Sequence, residues 1–197
     1  MSRLLAFLER ISNGRRAAQL FALTLAALVS INLLDFPGSV PYMRRISGQT
    51  YLDMQGFYTA ARAYQLLDAF GPEGRRLQLV LSTTFDAVFP SLVGAFGAVA
   101  ITWSFRRAFG RPSRLAALAV GAAALDYLEN LALIVLVTEY PRRLDLVAQA
   151  AGVFTALKGV AYLATTVVLL VGVVFALARP RRLHPRVSGV ADPRGLL

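Results

Sequence analysis

The sequence predicts an all-α protein, a four-helix transmembrane bundle with an N-terminal interfacial helix and a short extracytoplasmic amphipathic helix. Three observations lead there. Of 197 residues 56% are hydrophobic and only 16% charged, where a soluble domain carries about a quarter charged. The apolar residues gather in four long runs rather than in the short periodic segments of a soluble core. The arginines bracket those runs, the arrangement that sets membrane topology.

Residues 1–16 read as a cytoplasmic interfacial helix. Leu4, Leu5, Leu8 and Ile11 recur at helical spacing, Arg3, Arg10, Arg15 and Arg16 supply a basic side, and Asn13-Gly14 is a stop signal. The membrane domain covers 17–178, with spans at about 17–34, 77–105, 115–137 and 146–178. The first run leads into Asp35-Phe36-Pro37-Gly38 with no small-residue cleavage site, so it reads as an uncleaved anchor. The polar outer loop, 38–76, carries the stripe Phe57, Ala61, Tyr64, Leu67 and Phe70, ended by Gly71-Pro72. Tyr51, Tyr58, Tyr64 and Trp103 are expected in the aromatic belt. Pro90 sits within the second span beside Gly94, Gly97 and Ala98, so a kink and a close helix approach are expected there. Residues 179–197, rich in Pro, Arg and Gly, are expected to be a disordered basic cytoplasmic tail.

Orientation follows from the arginines. Thirteen lie in the N-terminal segment, the second-to-third connection and the tail. Seven lie in the other two connections, diluted by Asp53, Asp68, Glu73, Glu139 and Asp145. Short Arg-rich segments stay in the cytoplasm, so both termini are expected inside, in the bacterial inner membrane. The net charge of +10 then points to anionic lipid rather than nucleic acid.

Several chemistries are excluded. The chain has no cysteine, and its one histidine, His184, lies in the tail, which removes thiolate catalysis, disulfides, Cys or His metal centres and Ser-His triads. No Walker, GxSxG, HExxH or DDxxD pattern occurs.

The informative residues are charges inside the apolar runs: Asp86 in the second, Asp126 and Glu129 with Asn130 in the third, and Lys158 in the fourth. Lys158 is the only lysine. Asp126, Glu129 and Asn130 share a helix face at i, i+3 and i+4; Thr155, Lys158 and Tyr162 share another, and Ser82 and Asp86 a third. A mid-span charge costs about 2.5–3.5 kcal/mol on insertion scales, so such stripes face one another rather than lipid. Three carboxylates against one lysine leave either protonated carboxyls or a bound hard cation such as Mg²⁺, Ca²⁺ or Na⁺, with Asp86, Asp126 and Glu129 as its ligands. The bland reading is an Asp86–Lys158 pair that fixes helix register. Asp86, Asp126, Glu129 and Lys158 are the candidate catalytic residues. Asn130, Tyr162 and Thr155 are candidate ligand-binding residues, joined by Arg75, Arg76, Arg142 and Arg143, which suit an anionic headgroup at the outer interface.

Taken in order, Gly71-Pro72-Glu73-Gly74-Arg75, Asp86 followed by Phe89-Pro90, Asp126-Tyr127-Leu128-Glu129-Asn130, Tyr140-Pro141 and Phe154-Thr155-x-Leu157-Lys158 resemble an uncharacterised group of bacterial four-span membrane proteins. The resemblance covers roughly residues 35–170. It implies the four-span architecture and carries no activity or substrate.

Three functional classes follow. The first binds or acts on an amphiphilic, lipid-like ligand from the outer leaflet, with the carboxylates as acid/base groups or cation ligands and Lys158 as counter-charge or nucleophile. The second is a proton- or cation-coupled carrier or channel subunit, expected to be a homo-oligomer because four spans make a small pathway. The third is an assembly subunit whose polar cluster is structural. Membrane lipids are the partners common to all.

Overall fold

A computed structural model describes residues 2–179; of the tail expected at 179–197, residues 180–197 lie outside the described residues. The chain is all-helical, with no strand among the described residues. Helices α1 (Ser2–Ile11), α2 (Gly14–Leu33), α3 (Val40–Ser47), α4 (Ala60–Thr83), α5 (Phe85–Phe109), α6 (Ala117–Glu139) and α7 (Asp145–Ala178) follow in order. Single 3₁₀ turns occupy Leu52–Met54 and Arg114–Ala116. Among the described residues four helices are long and apolar enough to cross a membrane: α2, α5, α6 with its preceding turn, and α7. That is the composition of a multi-pass membrane protein.

The four do not share the packing equally. α5, α6 and α7 pack against one another, whereas α2 lies against α5 at the edge. Leu, Val and Phe side chains of α2 and α7 stay exposed over most of their length, as on helices that face lipid. Small residues set the α5–α6 approach. A Cβ on Gly94 would stand 2.9 Å from the Ala123 Cβ, and one on Gly97 would stand 2.8 Å from the Ala119 Cβ.

α4 is two helices joined at a kink. Gly71 has φ 63° and ψ −177°, a left-handed φ that glycine adopts without a Cβ penalty. Pro72 then opens the second segment without needing a hydrogen-bond donor. At the kink Arg75 donates to the Leu67 carbonyl at 2.8 Å.

The expected second span opens at Leu77, but α5 opens at Phe85. Residues 77–83 belong to α4. Thr84 ends that helix, its N–H shared between Val80 and Leu81 carbonyls and its hydroxyl donating to Val80 O at 2.6 Å. Hydroxyls that bond back to the preceding turn compete with the helix ladder. The apolar run is continuous across the break, so hydropathy gave no sign of it. Ser82 and Asp86 therefore sit on different helices rather than on one face.

The segment between α2 and α5 is a folded cap with its own core. Met43, Tyr51, Leu52, Leu67 and Phe70 are all buried there. Tyr51, Tyr58 and Tyr64 are buried as well, so they are cap residues rather than an aromatic belt. Two of the hydroxyls are tied to backbone: Tyr51 donates to Gly38 O at 2.8 Å, and Tyr64 bonds the backbone of Arg142 and Leu144. The expected stripe is shifted too. Phe57 and Ala61 face outward, while Ala63, Leu66, Leu67 and Phe70 are buried.

Candidate functional site

The cap, the start of α5 and inner turns of α6 and α7 surround one polar cluster. Its centre is Lys158, whose ammonium is 3.0 Å from Asp126 Oδ1 and also ion-paired with Glu129 Oε2. The side chain of Lys158 is 13% exposed and that of Glu129 fully enclosed. Thr155 Oγ1 reaches Glu129 Oε1, and Tyr162 donates to Asp126 Oδ2 at 2.9 Å. The helix-face reading of the sequence is met here: Asp126 and Glu129 stand one turn apart on α6, facing Thr155, Lys158 and Tyr162 on α7.

Asp86 joins from α5, but not as the partner of Lys158. It is the second residue of that helix, at the end where the helix dipole favours negative charge. Its Oδ2 is buried without a hydrogen-bond partner. Its carbonyl has a defined role. Pro90 has no N–H to complete the ladder bond to residue 86, and Asn130 Nδ2 donates to that carbonyl at 3.2 Å. At the next residue, Tyr127 donates to Ala87 O at 3.0 Å and lies 2.7 Å from Ser91 Oγ. A neighbouring helix thus satisfies the backbone that proline frees. The Asp126-Tyr127-x-x-Asn130 run of α6 and the Asp86-x-x-x-Pro90 run of α5 are two halves of one joint.

A further carboxylate enters from the cap. Asp53 lies in the 3₁₀ turn after Tyr51, and its Oδ1 is buried without a partner. Burial pushes its carboxyl above the ordinary range; Lys158 opposes that rise and Asp126 adds to it. Sequence reading missed Asp53 because it lies in a polar loop. The available signal was an acid set between Leu52 and Met54, directly after Tyr51. Gln78, fully buried on α4, was missed too. It accepts the Leu52 N–H at 2.9 Å and fixes the turn that carries Asp53.

Of the four arginines expected at the outer interface, three have partners within the protein. Arg75 braces the α4 kink and lies over the Tyr140 ring at 4.1 Å. Arg142 pairs with Glu139, and Arg143 with Asp145 and the Tyr64 ring. Arg76 is exposed. Exposed pairs of this kind contribute little stability.

Four carboxyls and one ammonium therefore share an enclosed volume. Among the described residues no three carboxylate or imidazole side chains converge as metal ligands, so the hard-cation reading finds no three-carboxylate donor set. Most of the spare groups are acceptors. Asp53 Oδ1, Asp86 Oδ2 and Asn130 Oδ1 are buried and unpartnered, and the Tyr58 hydroxyl is the one buried, unpartnered group beside them that can donate. The amide of Asn130 is oriented by the Asp86 carbonyl, which leaves its oxygen free.

Comparison of the chain with protein-family models, with curated proteins and with solved structures finds no match.

Proposed function

We propose that this is an inner-membrane protein with both termini cytoplasmic, whose outer-half polar site binds an amphiphile by a donor-rich polar end, in the first place a protonated amine. The arginine asymmetry supports the orientation, and α1 and α3 are then interfacial helices flanking the bundle. One observation carries the ligand class: three buried acceptors, Asp53 Oδ1, Asp86 Oδ2 and Asn130 Oδ1, have no partner, against one unpartnered donor, the Tyr58 hydroxyl, on a site holding four carboxyls and one ammonium. A cationic donor relieves both the missing hydrogen bonds and the excess negative charge. An alkyl chain suits the lipid-facing surroundings, and the carboxyls of Asp53 and Asp86 accept hydrogen bonds from the ammonium. Lys158, pinned between two carboxylates, acts as counter-charge rather than nucleophile.

The carrier reading has less support. Beyond the site the α5–α6 seam is Gly94, Gly97, Ala119, Ala122 and Ala123, and the buried polar side chains of α5 and α7 on that side, Thr102, Ser104 and Thr165, are hydroxyls with no titratable group among them.

Titration calorimetry of the detergent-purified protein with an alkyl amine, an alkyl alcohol and a fatty acid of one chain length tests the proposal. The amine should bind most tightly and the fatty acid not at all. Asp53→Asn and Asp86→Asn should each weaken the amine about tenfold, the value of one charge-assisted hydrogen bond. Equal binding of all three, or Asn variants that bind as wild type does, would mean that the cluster only holds the fold together.

A further inference from the structure

The opposite end of the bundle carries a second site. Where α1 turns into α2, a cavity of about 380 Å³ is lined by Ser12, Asn13, Gly14, Trp103, Arg106 and Arg107. Its chemistry is that of an anion receptor. Asn13 Oδ1 takes the Arg16 N–H and Asn13 O the Ala17 N–H, which leaves the first two N–H groups of α2 without helical partners. Ser12 is 92% buried by its 8% exposure, and its Oγ has no hydrogen-bond partner. Arg106 and Arg107 each spend one donor on a carbonyl, Glu9 O at 2.6 Å and Ala176 O at 3.0 Å. Guanidinium has five donors, so both stay fixed in place with donors to spare.

The cavity does not stand alone. Along the same α2–α5 seam runs an apolar groove of about 730 Å³, from Ile11 and Arg16 past Gln19 and Leu20 to Ala95 and Val99. On α5, Ala95, Val99 and Trp103 are spaced one turn apart, so groove and cavity follow one helix face. A free anion would use the cavity and ignore the groove. An acyl chain with an anionic head uses both.

We infer that the α1–α2 joint and the α2–α5 seam bind one phospholipid, its phosphate in the cavity and an acyl chain in the groove. The inference is independent of the ligand proposed for the outer cluster and uses none of its residues. Every titratable side chain lining the cavity is an arginine, so the site favours an acidic lipid over a zwitterionic one.

Native mass spectrometry decides this. The full chain, in a neutral detergent, is offered an equimolar mixture of phosphatidylglycerol and phosphatidylcholine of one chain composition, with and without excess inorganic phosphate. Retention of phosphatidylglycerol about tenfold above phosphatidylcholine is expected. That preference should vanish in the Arg106→Gln/Arg107→Gln double variant. Ala22→Phe/Ala95→Phe, which fills the exposed groove and leaves the arginines in place, should reduce retention as well. Inorganic phosphate should not displace the lipid. Equal retention of the two lipids by wild type overturns the proposal whether or not a variant folds. So does an undiminished preference in either double variant, or displacement by phosphate, which would make the cavity a free-anion site.

Discussion

Asn130 on α6 donates its amide hydrogen to the carbonyl oxygen of Asp86 on α5 at 3.2 Å, and that carbonyl is the one left without a helical donor by Pro90. The two helices are joined by a hydrogen bond that the backbone of α5 lacks. The joint holds Asp86 at the start of α5 while α6 brings Asp126 and Glu129 alongside.

This joint is testable as a coupled pair. Asn130→Leu should destabilise the protein by about 1–3 kcal/mol, the penalty for a buried carbonyl left unsatisfied. Pro90→Ala restores the N–H at position 90, so Asn130→Leu should cost markedly less in that background. Reversible unfolding in mixed micelles measures the cycle; additive effects would show that Asn130 does not act through this carbonyl.

Lys158 is the next point of leverage. Lys158→Met leaves Asp126 and Glu129 enclosed without their counter-charge, and breaking a buried pair from one side costs about 3–5 kcal/mol. Adding Asp126→Asn and Glu129→Gln to that variant should recover much of the loss. The same unfolding assay reads both, and no recovery would mean that the ammonium stabilises through its packing alone.

The cap is seated on α7 at Gly152, where a Cβ would run into the Tyr58 carbonyl oxygen. Gly152→Ala should therefore lift the cap, at about 1–3 kcal/mol as for other overpacked contacts. Amide hydrogen exchange should rise across residues 51–58 while α5 and α6 stay protected. Unchanged exchange in the cap would show that the seat yields without opening.

Asp53 gives the cap a pH dependence. Its carboxyl is raised by burial, against the opposing pull of Lys158, and it faces Asp126 from α6 and Asp86 from α5. A folded value above the unfolded one of about 4 means the folded state binds the proton more tightly. Its contribution to cap closure is thus complete at pH below about 4 and is lost as pH rises through the folded value. Exchange across residues 51–58 should increase over that rise, and Asp53→Asn should flatten this part of the profile. A wild-type profile identical to that of the variant would remove Asp53 from the account.

The sequence made the four apolar helices legible because hydropathy depends only on composition over a long window. It also placed Asp126, Glu129, Thr155, Lys158 and Tyr162 on facing stripes, since α6 and α7 are regular helices and spacing along a regular helix fixes the face. It failed where regularity failed. Thr84 breaks the helix inside a continuous apolar run, so the start of α5 and the Ser82–Asp86 face were misread. Asp53, Gln78 and the buried tyrosines depend on contacts across the cap, which no local period reports. The partners of Arg75 and Arg143, the Leu67 carbonyl and the Tyr140 and Tyr64 rings, are set by tertiary structure and leave no local signal in the sequence.

The position of Lys158 on α7 also has a consequence for biosynthesis. Ribosomes make Asp53, Asp86, Asp126 and Glu129 before the only ammonium that serves them. Until α7 leaves the insertion machinery, α6 carries two acids, each costing about 2.5–3.5 kcal/mol near mid-bilayer. A chain halted after α6 therefore holds two acids with no counter-charge, and α7 is the helix that brings it. Emergence of α7 is the step at which the polar cluster can first assemble.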